Sequence, residues 1–442
     1  MNIGLSGHAL ISSRHSGIAN YTLSLYKELF CIDSDDRFFL FNLSNEPLKE
    51  QYFSDFENVI EYRVGTRLAK NKDYYTTHKE AFEQSIKRFL RTYEIDIFYI
   101  PSPIDRTLPP YDRTYFGNVP VVATIHDVIP ALFEQQELFE RDGAKGCLEY
   151  YKRLLATRHM NRLLAISATT KRDYIKLMRV SARKIVLVYE SVYQKYQKKN
   201  VEERTKQELR KKYAIREHLL LYVGGDAWRK NAACLMEALA LVPPNIRQNA
   251  TLLFVGKTSK TTERRWKKMI EENGLYDHAK ITGFLPYDEL TDLYNMADWM
   301  VFPSVYEGFG MPVVEAWKCD VPVMTSNNSS LGEIGKNAAV LVNPFSKEDI
   351  ARGLTEILTM SDDKRKQYIS NGRRRATHFE GEPIARKILQ LLHEEAHKSD
   401  KKKTCCMFFR RLSGKMDELY CRFYTWYAKW RCGKKRDNLS MR

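Results

Sequence analysis

Glu307-Gly308-Phe309-Gly310-Met311-Pro312-Val313-Val314-Glu315 decides how this chain is read. Two carboxylates stand eight positions apart with a glycine-broken turn between them. The apolar run Trp299 to Phe302 leads in as a strand, and a Val/Ala/Trp run leads out as a helix opened by Pro312. Glycine lets a backbone come close to a phosphate, and a helix N-terminus offers unpaired N–H groups to an anion. A diphosphate fits the turn, and a carboxylate at each end accepts hydrogen bonds from hydroxyls. Together these features suit a nucleotide-sugar.

Outward from this joint the pattern repeats. Strands are expected at Leu219 to Val223, Thr251 to Val255, Ala279 to Ile281, Val321 to Thr325 and Ala339 to Val342, with helices between them. An earlier series runs through Asn2 to Ser6, Arg37 to Leu43, Ile95 to Ile100, Val119 to Ile125 and Arg162 to Ile166. Such alternation implies two parallel sheets with helices on both faces, α/β and doubly wound. The lysine-rich stretch Tyr193 to Lys206 reads as the hinge. Ligands of such folds bind outside the strand ends, so a crevice between two domains is expected to hold the site.

The spacing Glu307 to Glu315 resembles the E-x7-E motif of retaining glycosyltransferases of the GT-B fold, and the wider context is similar to glycosyltransferase family 4. The likeness runs from about Asn2 to Leu391 and is densest from Leu219 to Pro344. It implies an N-terminal acceptor-side Rossmann-like domain (1–192) and a nucleotide-sugar domain (193–382) facing a cleft. A helix over 383–398 would cross back to the first domain, before a tail at 399–442.

Several loops carry the chemistry. Gly224-Gly225-Asp226-Ala227-Trp228-Arg229-Lys230-Asn231 follows a strand and reads as opening a helix. Two cations at a helix start are disfavoured unless an anion is present. Arg229 offers a bidentate fork and Lys230 a point charge for a diphosphate. The string resembles the family's R-K-N phosphate loop, with Gly225 where many members carry arginine. His126 ends a strand in Thr124-Ile125-His126-Asp127-Val128-Ile129-Pro130. The resemblance puts such a histidine beside the donor sugar. Asp127 either caps the next segment or faces the acceptor. Gly17 resembles the family's N-terminal glycine loop, and Arg14 and His15 beside it suit an acidic acceptor group. Gly283, Phe284 and Leu285 match the turn that lines the family's base pocket, with Gly256-Lys257-Thr258 as a candidate for its other wall. Asn327 to Ser330 read as a helix cap. Asp33-Ser34-Asp35-Asp36 contains D-x-D but reads as a polar turn. No catalytic metal and no cofactor beyond the nucleotide-sugar are therefore expected.

Composition bounds the rest. A chain of 442 residues fits two domains and an appendage. No run of 18 apolar residues occurs, the start resembles no signal peptide, and eight cysteines follow no disulfide framework, so a cytoplasmic protein is expected. The net charge is +16, and Ser399 to Arg442 holds 13 Lys/Arg against 4 Asp/Glu, a difference of +9. Phe423, Tyr424, Trp426, Tyr427 and Trp430 lie among those charges. Basic and aromatic residues together suit an anionic membrane face, which predicts a peripheral location at the inner face of the cytoplasmic membrane. A helical hairpin packed on the protein or a partner is the alternative. Single-stranded nucleic acid fits the same composition, but no nucleic-acid module accompanies it.

The resemblance implies a retaining, metal-independent hexosyltransferase working on a glycan or lipid-linked saccharide in surface polysaccharide assembly. Mannose from GDP-mannose is the favoured donor, with a UDP-sugar next. In that scheme Arg229, Lys230 and the amides of Gly308, Phe309, Gly310 and Met311 hold the diphosphate, Glu307 the sugar and Glu315 the ribose. A GT-B epimerase or phosphorylase, or a non-catalytic membrane-bound partner of a glycan-assembly complex, are the other readings.

Overall fold

The computed structural model describes residues 1–12, 17–32, 35–64, 79–104, 110–192 and 195–402. Arg14, His15, the Asp33-Ser34 pair and the tail from 403 onward lie outside the described residues. The chain divides into two units, Met1–Ser191 with Gly381–Arg442, and Val192–Glu380.

The first unit holds a seven-stranded sheet: β1 (Asn2–Ser6), β2 (Arg37–Asn42), β3 (Val59–Arg63), β4 (Ile97–Ile100), β5 (Val121–Ile125), β6 (Arg162–Ala165) and β7 (Ile185–Leu187). Its order is β3-β2-β1-β4-β5-β6-β7, parallel throughout. The central strands are unbroken apolar runs because helices cover both faces, as with Val121–Ile125, buried at every position. β3 and β7 escape the sequence reading for a physical reason. Both are edge strands, half-buried, and their polar or short runs carry no clear period.

The helix Gly381–Lys402 belongs to this unit. Its Ile384, Ala385, Ile388 and Leu392 join Leu25, Tyr26 and Leu29 of the helix Gly17–Cys31 in one buried cluster. Charged groups fasten it: Glu395 accepts from Arg162 Nε at 2.9 Å, and His393 Nε2 lies 2.8 Å from the buried Asp36.

The second unit holds β8 (His218–Val223), β9 (Ala250–Val255), β10 (Ala279–Gly283), β11 (Trp299–Phe302), β12 (Val323–Ser326) and β13 (Ala339–Val342), ordered β10-β9-β8-β11-β12-β13 and parallel. The strand order reverses between β8 and β11. That reversal splits the loops at the carboxyl ends of these two neighbours and leaves room for a ligand. The unit boundary at Val192 falls just before the stretch read as a hinge, Tyr193 to Lys206, whose last residues enter the helix Glu203–Lys212.

Candidate active site

The loops after β8 and β11 carry the charged residues. Arg229 and Lys230 sit on a short 3-10 turn, Trp228–Lys230, directly before the helix Ala232–Leu241 that the string was expected to open. Asn231 ends that turn in the left-handed region at φ 65°, which asparagine tolerates better than most residues. Its amide donates to the Pro303 and Pro344 carbonyls at 2.9 and 2.7 Å, tying the β8 loop to the β11 loop. Val305 N–H donates to the Arg229 carbonyl at 2.7 Å, a second tie.

Glu307 is the centre of this joint. Its Oε2 accepts from Arg229 Nη1 at 2.6 Å, and its Oε1 lies 2.8 Å from Lys230 Nζ and 2.7 Å from the Ser304 hydroxyl. Glu307 is 6% exposed. Burial alone would raise its pKa, but Lys230 and Arg229, with Ser304, outweigh that and hold it at about 2. Burial and the Arg229 charge lower the Lys230 ammonium, with Glu307 opposing. Lys230 also lies 4.8 Å above the Phe302 ring. Two cations against one carboxylate leave an excess positive charge in a place largely withdrawn from water, where an anion is held strongly.

The turn 308–310 is set from below. Gly310 has φ 120°, and a Cβ there would lie 2.6 Å from Leu331 Cδ2, so only glycine fits. The Ser330 hydroxyl reaches the Glu307 and Phe309 carbonyls at 2.8 and 2.6 Å, and Asn328 Nδ2 donates to the Val305 carbonyl. Asn328 occupies the N-cap position of the helix Ser329–Gly335 but makes no side-chain cap bond. The cap expected of Asn327 to Ser330 thus acts as a cradle for the β11 loop. Met311 and Pro312 then open the helix Met311–Lys318, which carries Glu315.

Glu315 faces a different environment. Its Oε2 accepts from the Tyr294 hydroxyl at 2.8 Å, and burial raises its pKa to about 7 against the lowering effects of Tyr294 and Lys230. The Lys230 charge therefore acts on both carboxylates.

The other loops of this end follow the sheet. Gly224 N–H bonds to the Val255 carbonyl and Gly256 N–H to the Gly283 carbonyl, so the ends of β8, β9 and β10 are laced together. Gly225 lies against the Lys257 carbonyl, 3.1 Å from where a Cβ would be. Gly283 has φ 76°, Phe284 is exposed at 64% and Leu285 is buried. Three strand spacings separate β10 from β11, about 14 Å.

His126 belongs to the first unit. Its Nδ1 lies 2.5 Å from Glu190 Oε1 and its Nε2 2.8 Å from the Pro101 carbonyl, with Tyr21 edge-on at 5.1 Å. Burial pushes its pKa down, but the hydrogen bond and charge of Glu190 and the Pro101 carbonyl outweigh that and raise it. Both ring nitrogens are thus engaged, and the ring braces the β4 and β7 ends. Asp127 Oδ1 accepts from Ile129 N–H at 3.0 Å. Gly17 opens its helix exposed, with nothing near its missing Cβ.

Sequence reading missed Ser304, Tyr294 and Glu190. Each reads locally as an ordinary loop, helix or strand-end residue. Their importance comes from contacts between segments distant in sequence, for which one chain carries no signal.

Residues 17–193 match the family described as Glycosyltransferase Family 4, and residues 205–375 match Glycosyl transferases group 1. The chain is 29% identical to the serotype-specific mannosyltransferase WbdA of Escherichia coli over 55% of its own length and 30% of that protein. It is 26% identical to O-antigen chain mannosyltransferase B of Escherichia coli, over 64% and 69% of the two chains. Among solved structures, it is similar to Anabaena HepE in complex with UDP-glucose, at a TM-score of 0.64 and 17% identity over 89% of this chain and all of the other. This likeness is one of fold: two Rossmann-like units in one chain, the GT-B fold. Among the described residues no helix is long and apolar enough to cross a membrane.

Proposed function

We propose, from a chain that carries both a family 4 and a group 1 glycosyltransferase domain, that this protein moves a hexose from a nucleoside-diphosphate sugar to a saccharide acceptor in surface polysaccharide assembly. The observation that carries the reading is Glu307 held between Arg229 and Lys230 where the strand order reverses. The mannosyltransferase names of the relatives favour mannose as the sugar and GDP-mannose as the donor. Binding of UDP-glucose by a protein of the same fold keeps a UDP-sugar as the second choice.

The chemistry follows from the charges. The pyrophosphate lies over the Gly308–Met311 amides and draws on the excess charge of Arg229 and Lys230. Negative charge develops on the leaving phosphate as the C1–O bond breaks, and donors fixed beforehand stabilise it without reorganising. Glu307 aims the two cations. Its Oε1 is filled by Lys230 and Ser304, while Oε2 keeps a lone pair for one sugar hydroxyl. Glu315 takes the ribose hydroxyls, and the base lies toward Gly283–Leu285. The acceptor oxygen attacks C1 on the face the phosphate leaves, its proton passing to that phosphate, so the anomeric configuration is retained. No metal is required in this scheme, because side-chain cations neutralise the diphosphate. The His126–Glu190 pair in the first unit acts as a strut that fixes the Pro101 carbonyl.

Incubation of the purified protein with GDP-mannose or UDP-glucose tests the reading. Slow donor hydrolysis is expected, with the released hexose first seen as the donor's own anomer by proton NMR, and Glu307→Ala should abolish it. Hydrolysis of neither donor, or full activity in Glu307→Ala, would count against it.

A further inference from the structure

We propose that Tyr294 is the positioning residue for Glu315, and that the segment 195–199 holds Tyr294 in place. This rests on the assignment of Glu315 to the ribose of the donor. Glu315 is 8% exposed. The Tyr294 phenol donates to its Oε2 at 2.8 Å, and Oε1 has no hydrogen-bond partner among the described residues. One carboxylate oxygen is therefore fixed by the protein and one is left for a ligand hydroxyl. Tyr294 itself has 0% exposure, so its phenol has no solvent alternative to this acceptor.

Two helices bring the pair together, Tyr287–Met296 with Tyr294 and Met311–Lys318 with Glu315. The segment after the unit boundary joins them. Tyr196 packs edge-on against the Tyr294 ring at 5.4 Å and tilted against Tyr287 at 5.1 Å. Asn295 Nδ2 donates to the Gln197 carbonyl at 3.2 Å, and Lys199 N–H donates to Asn295 Oδ1 at 2.8 Å. Lys199 Nζ pairs with Asp292 at 2.7 Å. On the other helix, Lys318 Nζ donates to the Val192 carbonyl at 3.4 Å, and Cys319 Sγ lies 3.8 Å from the Gln197 carbonyl. Tyr287–Met296 and Met311–Lys318 are thus strapped by one short segment. The titratable and charged groups that act on Glu315 are Tyr294 and Lys230, with Tyr196 and Cys319 feeling its charge in turn.

The phenol bond favours the ionised carboxylate, because it donates to the charged form. Tyr294→Phe keeps the ring and its packing and removes only that donor. Binding of GDP-mannose and UDP-glucose is then measured by calorimetry from pH 5.5 to 8.5, where the pyrophosphate diester keeps its charge. In the native protein, affinity should rise with pH as Glu315 ionises. In Tyr294→Phe, the midpoint should move up by about one pH unit and affinity at pH 7 should fall about fivefold. The Glu315 carboxyl resonance, assigned by its absence in Glu315→Gln, should show the same shift without any ligand. An unmoved carboxyl midpoint in Tyr294→Phe overturns the proposal, whether or not a donor binds. A native protein that binds neither donor, yet shows the carboxyl shift, rejects the glycosyltransferase reading and leaves the Tyr294–Glu315 pairing standing. A merely structural tyrosine would lower stability and leave both midpoints in place.

Discussion

Replacing Glu315 with glutamine should make the second unit more stable at alkaline pH, although it removes a residue assigned to donor binding. The carboxyl pKa is raised from 4.5 to about 7, with burial as the main cause. A raised acid keeps its proton longer in the folded state. Its contribution is fully present below the unfolded pKa near 4.5 and is lost as pH rises through about 7. The shift is worth about 3 kcal/mol in total, and most of that falls between pH 5 and pH 8. Glutamine still accepts from the Tyr294 hydroxyl but does not titrate, so its stability lacks this slope. Urea unfolding at pH 5 and pH 8, followed by tryptophan fluorescence, measures the difference. Trp228, Trp266, Trp299 and Trp317 all lie between Val192 and Glu380, and Trp426 and Trp430, which belong to the first unit, are replaced by phenylalanine in both chains so that the signal reports the second unit. Relative to the native chain, Glu315→Gln should gain about 2–3 kcal/mol on going from pH 5 to pH 8. Parallel stabilities at the two pH values would refute the buried, proton-holding carboxyl.

Other substitutions test the frame around the site. Gly310→Ala places a methyl 2.6 Å from Leu331 Cδ2 on a backbone with φ 120°, and calorimetry should show a loss of about 1–3 kcal/mol or more. Asn231→Ala removes the bonds to the Pro303 and Pro344 carbonyls and leaves alanine in the left-handed region, so about 2–3 kcal/mol should be lost in urea titration. Donor hydrolysis assayed with and without excess EDTA should be the same, since Arg229 and Lys230 supply the cationic charge. A rate restored only by a divalent ion would contradict that assignment.

The parallel order of both sheets was readable because buried parallel strands leave continuous apolar runs such as Leu219–Tyr222 and Trp299–Phe302. Val59–Arg63 and Ile185–Leu187 were not, since edge strands are half-exposed and one of them carries Glu61 and Arg63 for local reasons. Glu61, for instance, accepts from the Leu48 and Lys49 amides. The turn at 308–310 announced itself through Gly310 and Pro312, whose backbone demands are local. The 3-10 turn under Arg229 and Lys230 did not, because the left-handed Asn231 is held by carbonyls 72 and 113 residues away. Ser304, Tyr294 and Glu190 escaped for the same reason: their partners are brought to them only by the fold.

Titration of GDP and UDP into the native protein and into Arg229→Ala/Lys230→Ala bears most directly on the cationic pair as the diphosphate holder. At least one nucleotide should bind the native chain in a salt-sensitive way, and the double variant should lose about 100-fold or more in affinity. A double variant that binds as the native chain does, or a native chain that binds neither nucleotide, would contradict it.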